Sequence, residues 1–278
     1  MFDFYQKKFL FFNNFKELYL HKFILMKRIL LLLPMIFAFL SFTSSTRMQV
    51  RAGEKLVYAG SYNMSGLMTQ LAQVTMSTEN VSTAKNNYLH LSCELSTYSK
   101  WDKFFKIRDI YESYVHPTTL KPSLYKRSID EGGYTKKEKY VFKNNKVTST
   151  VKKRTYPESS RTFNIKPTSI DAVSILYQLR LVDFSKMQAG QTKSYTIVFD
   201  EKEVPVTLKY MGKEEIKAGN LGTKECYKIS IGAKTDALRG KDKNLIWLTA
   251  DAKKIPALIK FSIPVGTGQL TLTSASGI

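Results

Sequence analysis

The sequence predicts a mainly β protein: an antiparallel meander of about twelve strands that forms an open or half barrel, with one short helix packed on it or in it. Three observations support this fold class. Tyr and Phe, which favour strands, number 16 and 17 among the 278 residues. Apolar and polar residues alternate with a period of two along most of the chain from Gly53 onward. Short turns rich in Gly, Asn or Pro separate the alternating segments.

The first meander is interrupted once. The segment Ser99–Lys106 breaks the strand period, and its aromatic residues at helical spacing predict one or two helical turns packed on the sheet. Farther on, Gly132-Gly133 and Asn144-Asn145 can supply the positive-φ residues of tight hairpins. The strands expected here are Glu54–Asn63, Leu67–Thr78, Tyr88–Tyr98, Ile107–Val115, Leu120–Ile129, Tyr134–Phe142 and Lys146–Thr155.

Ser169–Asp183 has a helical pattern. Ser169 is placed to cap its N-terminus, Asp171 favours the positive end of the helix, and an apolar stripe begins at Val173. A short apolar helix beside many strands should lie against the sheet or plug one end of a barrel. The strands expected after it are Thr192–Asp200, Val204–Met211, Gly222–Gly232, Asn244–Leu248, Ala257–Ile263 and Gly268–Thr273, with a polar loop at Ala237–Lys243.

Residues 26–45 have the layout of a secretory signal peptide. Lys27 and Arg28 precede an apolar run, Ile29–Phe42, and small residues follow it. We expect cleavage near Thr43 to Ser45, since the run is too short to span a bilayer comfortably. The protein is therefore expected in the periplasm or outside the cell, soluble after cleavage and without a transmembrane segment in its mature form.

Residues 1–25 do not fit a signal peptide, because the segment is aromatic and basic throughout and has neither turn chemistry nor a strand period. We interpret it as a mis-called upstream extension that precedes the true start at Met26; an amphipathic helix on a membrane surface is the alternative. The mature chain, residues 46–278, is expected to form a single β-rich domain, or two related halves on either side of the helix at 169–183.

The chain is strongly basic, with a formal net charge of +20. A basic exported protein can bind a lipid, a glycolipid or an anionic glycan, and export argues against nucleic acid as a partner. The segment from Tyr125 to Arg154 is the most basic part of the mature chain, and aromatic residues are interspersed among its lysines. Such a mixture can grip an anionic sugar or a phosphate backbone. The plainer interpretation is that these lysines form the solvated face of long hairpins.

Side chains suited to catalysis or metal binding are few. The mature chain has two His, His90 and His116, and two Cys, Cys93 and Cys226, none of them at metal-ligand spacing. It contains no nucleophile motif and no phosphate-binding glycine loop. We therefore predict a non-catalytic protein with no cofactor and no metal. An even number of Cys permits one disulfide, but the opposite strand phases of the two favour separate thiols.

Five blocks of sequence occur in a characteristic order: GEKLVYAGSY (Gly53–Tyr62), IRDIYESYVHPTTLKPSLYKRSIDEGGY (Ile107–Tyr134), SIDAVSILYQLR (Ser169–Arg180), KECYKIS (Lys224–Ser230) and LIWLTADAKKIPALIKFSIPVGTGQL (Leu245–Leu270). Together they resemble the bacterial exported family catalogued as domain of unknown function 3108, which is common in Bacteroidetes. The resemblance covers nearly all of the mature chain and implies an envelope location and a β-rich fold. The family has no assigned activity, so the resemblance implies no functional residue.

Two functions are compatible with these features. One is a non-catalytic binding or carrier protein for a hydrophobic or anionic envelope ligand, for which Met64, Met68 and Met76 would suit an apolar cargo. The other is a structural or interaction module of the cell envelope that binds glycan or protein partners. An apolar cavity would favour the carrier, and a filled core with a flat aromatic and basic face would favour the module. Clustered carboxylates in a cleft would instead indicate an enzyme.

Overall fold

The computed structural model describes residues 50–64, 66–233, 244–263 and 266–278. The strands in them are β1 (Lys55–Met64), β2 (Leu67–Ser82), β3 (Asn87–Thr97), β4 (Arg108–Val115), β5 (Pro122–Glu131), β6 (Tyr134–Lys143), β7 (Lys146–Lys153), β8 (Ser159–Asn164), β9 (Ile170–Asp171), β10 (Thr192–Phe199), β11 (Lys202–Lys217), β12 (Thr223–Ala233), β13 (Leu245–Thr249), β14 (Pro256–Ile263) and β15 (Gly266–Ser276). The helix α1 is Ser174–Gln178, and 3₁₀ turns lie at Leu179–Leu181, Phe184–Lys186 and Gly219–Leu221.

All of these strands belong to one 15-stranded sheet. β1 to β8 form one antiparallel meander, β10 to β15 form a second, and the antiparallel pairing of β1 with β15 joins the two. β8 and β9 are the edges, so the sheet stays open and does not close into a barrel. The mainly β, open-barrel fold class predicted from the sequence is confirmed, although the strands number more than the expected twelve.

The start of the helix differs from the sequence expectation. α1 begins at Ser174, because Ile170–Asp171 pairs in parallel with β10 instead of forming a first helical turn. Ser169 does not cap the helix; its hydroxyl group donates a hydrogen bond to Glu203 Oε1 at 2.5 Å. The Asp171 carboxylate accepts the Ser174 N–H group at 2.7 Å and thereby turns the chain into the helix.

The segment 99–106 also differs from its prediction. It does form turns, closed by hydrogen bonds from the N–H groups of Trp101, Phe104 and Phe105 to earlier carbonyl groups. The prediction that its three aromatic residues pack on the sheet was wrong for two of them: Phe104 is 80% exposed and Phe105 is 52% exposed.

Helix α1 packs among the inward side chains of both meanders. Tyr177 belongs to a hydrophobic cluster that includes Tyr58, Tyr125 and Trp247. Phe184, just after the helix, belongs to a second cluster that includes residues of β11, β12 and β13. The predicted position of the helix against the sheet is therefore confirmed, and the interior between the two meanders is filled by side chains.

An ion pair is buried in this interior. Arg180 and Glu54 are 1% and 3% exposed. Two parallel hydrogen bonds join them, from Nη1 to Oε1 at 2.6 Å and from Nη2 to Oε2 at 2.8 Å. Arg180 Nε also donates to the Lys253 carbonyl oxygen at 3.0 Å. The pair links the helical segment to the chain just before β1.

A second charged network joins the two meanders. Both residues of the β10–β11 turn, Asp200 and Glu201, have positive φ, at 46° and 59°. Asp200 Oδ1 accepts hydrogen bonds from Arg127 Nη2 at 2.6 Å and from Lys136 Nζ at 2.9 Å. Arg127 also pairs with the buried carboxylate of Glu138. The turn of the second meander is thus bound to strands β5 and β6 of the first.

The expected signal peptide (26–45), the upstream segment (1–25) and the expected loop Ala237–Lys243 lie outside the described residues. In the part of the chain that is described, no helix combines the length and the apolar character needed to cross a bilayer. Cys93 and Cys226 are both free, which confirms the expectation of separate thiols.

Candidate anion-binding face

Strands β5, β6 and β7 have one buried side and one side that faces solvent. Tyr125, Arg127, Tyr140 and Val147 are buried and point to the interior. Because successive side chains of a strand point to opposite sides of the sheet, the residues between them point outward. Most of these outward residues on β6 are lysines, as expected for the solvated face of a long hairpin.

Four outward lysines form two cross-strand pairs, and we call them the lysine ladder. Lys126 of β5 lies directly opposite Lys139 of β6. Lys137 of β6 lies directly opposite Lys152 of β7. Like charges directly opposite one another destabilise a sheet. The ladder is therefore a local cost to the fold.

The charges of the ladder are only partly compensated. Glu112 of β4 lies directly opposite Lys126 on the other side of β5, where its carboxylate group binds His90. Among the described residues, no carboxylate forms an ion pair with any of the four ladder ammonium groups. Lys126 Nζ instead lies 5.1 Å from the centroid of the Tyr114 ring. Lys136, on the buried side of β6, differs from the ladder because it binds both Glu138 and Asp200. Lys153 lies directly opposite Lys136 and is exposed, so the positive charge of these strands is not limited to the outward side.

Hydroxyl groups extend this face beyond the ladder. Thr150 lies opposite Lys139, and the Thr148 and Thr162 hydroxyl oxygens are 3.0 Å apart on the neighbouring strands β7 and β8. Ammonium groups donate to phosphate, sulfate or carboxylate oxygens, and hydroxyl groups both donate and accept. Neighbouring charges on such a sheet lie about 5 Å apart across strands and about 7 Å apart along them. This flat, repeating arrangement suits a polymer with repeating negative charges.

Residues with polar side chains predominate around two open cavities on the described surface. The first, about 510 Å³, lies between residues 83–87 and 116–118. The second, about 470 Å³, lies between residues 119–121, 167–170 and 194–196 and includes Gln178. Their linings include mainly Thr, Ser, Asn and Lys residues, and Ile170 and Tyr195 add apolar surface to the second cavity.

The His and Cys residues do not combine into a reactive group. His90 lies on the outward side of β3, with its ring nitrogens 2.7 Å from Glu79 Oε1 and 2.9 Å from Glu112 Oε1. Cys93, three residues later, packs against the core, which confirms that the two point to opposite sides. Within the described ranges, no group of three or more His, Cys, Asp or Glu side chains could hold a metal ion.

One carboxyl group on the inward side of β4 has an unusual environment. Asp109 is 1% exposed, and its Oδ1 accepts the Asp130 N–H group at 3.0 Å. Burial, together with the adjacent Glu131 carboxyl group, raises the pKa of Asp109 to about 7 despite that hydrogen bond. Because this buried carboxyl group joins β4 to the backbone of β5, we assign Asp109 a structural role.

The raised pKa of Asp109 predicts a pH dependence of stability. Between about pH 4 and pH 7 the folded chain keeps a proton on this group that the unfolded chain releases, so the group's contribution to stability falls as the pH rises. Asp109→Asn should therefore gain stability relative to the wild type across that window. Urea unfolding of both proteins at pH 4.5, 5.5, 6.5 and 7.5, about one unit apart, measures the difference. A difference that stays constant with pH would contradict the assignment.

The chain is similar to one protein family in sequence and to several solved structures in fold. The model of the family described as "Protein of unknown function (DUF3108)" matches residues 57–273. A beta-barrel-like protein of domain of unknown function DUF1849 from Brucella abortus aligns with a TM-score of 0.55 at 9% identity, covering 80% of this chain and 96% of that one. That similarity supports the fold alone.

Two other solved structures align at lower scores. A protein described as exported, with a YmcC-like fold, from Bacteroides fragilis has a TM-score of 0.30 at 7% identity, covering 81% of this chain and 96% of its own. A protein described as a lipoprotein, from Parabacteroides distasonis, has a TM-score of 0.32 at 9% identity, with the same coverage of 81% and 96%. No curated protein sequence matches the chain.

Proposed function

The chain belongs to the DUF3108 family of proteins of unknown function, and we propose that it is an exported, non-catalytic binding protein that holds an anionic glycan of the cell envelope on the lysine ladder. The observation that carries the proposal is the pair of like-charge contacts, Lys126 with Lys139 and Lys137 with Lys152. An anionic polymer lying across the strands would neutralise both contacts at once. Export is the prediction from residues 26–45.

The filled interior favours a surface ligand over a cargo held inside. Tyr58, Tyr177 and Trp247 occupy the space between the meanders, and the Arg180–Glu54 pair is buried with them. An apolar ligand would have to displace this packing and expose a buried ion pair, which is costly. A polymer on the outward face of β5 to β7 displaces only water and counterions.

A charge-reversal variant on one strand tests the proposal. In the double variant Lys137→Glu, Lys139→Glu, each new carboxylate faces a remaining ladder lysine across the sheet, so the fold should keep or gain stability. Its affinity for dextran sulfate, used as a soluble polyanion, should fall at least about tenfold at low salt, because each ammonium group near an anionic surface contributes about 1 kcal/mol. Wild-type binding should weaken steeply with added salt.

The matched control makes the same change of charge elsewhere. Lys217 on β11 and Lys224 on β12 are also exposed, on the second meander. The variant Lys217→Glu, Lys224→Glu should retain most of the wild-type affinity. Equal losses in the two variants would show that net charge alone attracts the polymer, and the ladder would then have no special role.

A further inference from the structure

Apolar side chains are exposed at the start of β2 and on the neighbouring loop between β3 and β4, where turns usually carry polar residues. Leu67 and Met68, which begin β2, are 71% and 41% exposed. Phe104 and Phe105, between β3 and β4, are 80% and 52% exposed. We call these four residues the aromatic rim. Single exposed apolar residues are common on proteins, whereas several exposed apolar residues on adjoining segments are typical of an interaction site.

Direct contacts hold the two segments together. Trp101 Nε1 donates to the Gln70 carbonyl oxygen at 3.0 Å, so the loop between β3 and β4 is attached to the start of β2. The Trp101 and Phe104 ring centroids are 5.9 Å apart. The β5–β6 hairpin supports the other side, where the Gly132 N–H group donates to the Lys106 carbonyl oxygen at 2.8 Å. The rim is therefore a built surface and not a pair of unrelated loop tips.

Glycine at position 132 is required by this arrangement. A Cβ atom built there would lie 2.6 Å from Phe105 Cε2, and the residue has a positive φ of 54°. The absence of a side chain lets Phe105 lie against the hairpin backbone while half of its surface remains exposed.

The loop between β3 and β4 carries a net positive charge. Lys100, Lys103 and Lys106 are exposed on the same loop as the two Phe residues. The acidic residue of that loop, Asp102, is bound by Arg108 Nη2 at 2.6 Å, and this hydrogen bond lowers the pKa of Asp102. The loop thus presents aromatic rings among three lysines, and its own carboxylate is paired with Arg108; Asp130 and Glu131 belong to the adjoining β5–β6 hairpin.

We propose that the aromatic rim docks this protein on an anionic lipid surface. Phe, Leu and Met side chains that project from a rigid edge can enter the boundary between headgroups and acyl chains, where Trp is also favoured. Lysines beside them bind lipid phosphates, and their long side chains reach the headgroups while the rings lie deeper. The partner is a bilayer leaflet, bound peripherally by side chains and not spanned. This docking does not depend on glycan binding at the lysine ladder.

The fluorescence of the protein provides the test. The chain has 2 Trp residues; Trp247 is 2% exposed, whereas Trp101 lies at the rim and is partly exposed. The purified protein should show a blue shift of Trp emission, and should co-sediment, with vesicles of phosphatidylglycerol mixed with phosphatidylcholine. Binding to vesicles of phosphatidylcholine alone should be at least about tenfold weaker, given the three lysines.

Variants identify the residues responsible. Phe104→Ser combined with Phe105→Ser should weaken binding to the anionic vesicles at least about tenfold. Met68→Ser should also weaken it, whereas Met211→Ser should leave it unchanged; the two Met residues form a matched pair, since Met68 is 41% exposed at the rim and Met211 is 39% exposed on β11.

Other outcomes would overturn the proposal. Wild-type affinity in the double Phe variant, or equal effects of Met68→Ser and Met211→Ser, would show that the rim does not enter the lipid. Vesicle binding that is lost in the Lys137→Glu, Lys139→Glu variant and kept in the double Phe variant would assign headgroup binding to the lysine ladder instead. If the Lys137→Glu, Lys139→Glu variant loses only its binding to dextran sulfate and keeps the Trp101 blue shift with anionic vesicles, the rim proposal is supported. The loss then concerns only the lysine ladder.

Discussion

Replacing Arg180 with alanine is expected to lower the free energy of unfolding by about 3–5 kcal/mol, the range for removing one partner of a buried ion pair. Glu54 is 3% exposed, and it would lose both hydrogen bonds from the guanidinium group. The Lys253 carbonyl oxygen would lose the Nε donor as well. Urea unfolding followed by far-UV circular dichroism measures the change.

Two controls separate the unpaired charge from the loss of packing. The double variant Arg180→Met, Glu54→Leu removes both charges and keeps apolar volume, so it should recover most of the lost stability. Arg51→Ala removes an exposed arginine close to Glu54 and should change stability by no more than about 0.5 kcal/mol. If Arg180→Ala behaves like Arg51→Ala, the buried pair is not a principal contributor to the fold.

The lysine ladder could have been located from the sequence through the turns. Both hairpins were predicted from Gly132-Gly133 and Asn144-Asn145, and the structure has two-residue turns at both places. A two-residue turn determines which residues of its strands lie opposite one another. Counting back from the first turn places Lys139 opposite Lys126, and counting from the second places Lys152 opposite Lys137, as observed. The basic composition of Tyr125–Arg154 is visible in the sequence, but its like-charge pairs emerge only when residues are counted back from each turn.

Elements without a periodic pattern were not predictable in the same way. β8 was missed because nearly all of its six residues are exposed, so that Ser159–Asn164 shows no alternation of apolar and polar residues. The helix was predicted five residues too early, because the short pairing of Ile170–Asp171 with β10 depends on a strand that lies more than twenty residues later in the chain. In both cases tertiary contacts, which local sequence does not contain, determine the secondary structure.

Contacts between distant segments were also beyond the sequence. Arg180 and Glu54 are separated by 126 positions and meet through the tertiary packing of the helical segment against the chain that leads into β1. The aromatic rim presents a related case. Helical spacing in Ser99–Lys106 predicted rings packed on the sheet, whereas Phe104 and Phe105 project outward because the loop is attached through Trp101 and Lys106. Spacing alone does not reveal which side of a short turn faces the sheet.

The network between the meanders provides the second large stability prediction. Arg127→Ala should lower the free energy of unfolding by about 3 kcal/mol, at the lower end of the range for a broken buried pair. Glu138 would remain buried but would keep one partner, because Lys136 Nζ lies 2.6 Å from its Oε1. Lys137→Ala, one residue away from Lys136 and on the outward side of β6, should change stability by no more than about 0.5 kcal/mol.

Amide hydrogen exchange should show which part of the sheet Arg127 stabilises. Arg127 binds Asp200 in the β10–β11 turn, and the Glu201 N–H group donates to the Tyr140 hydroxyl oxygen at 3.0 Å. Loss of the guanidinium group should release this turn from β5 and β6, so amide hydrogen exchange near Asp200 and Glu201 should accelerate more than global unfolding explains. Uniform acceleration across all strands would mean that Arg127 contributes to global stability without holding this turn in particular. Both residues of the charged turn adopt a left-handed backbone conformation, which is unfavourable for residues with a side chain. Selective acceleration would mean that the partners on the opposite meander hold this turn in place.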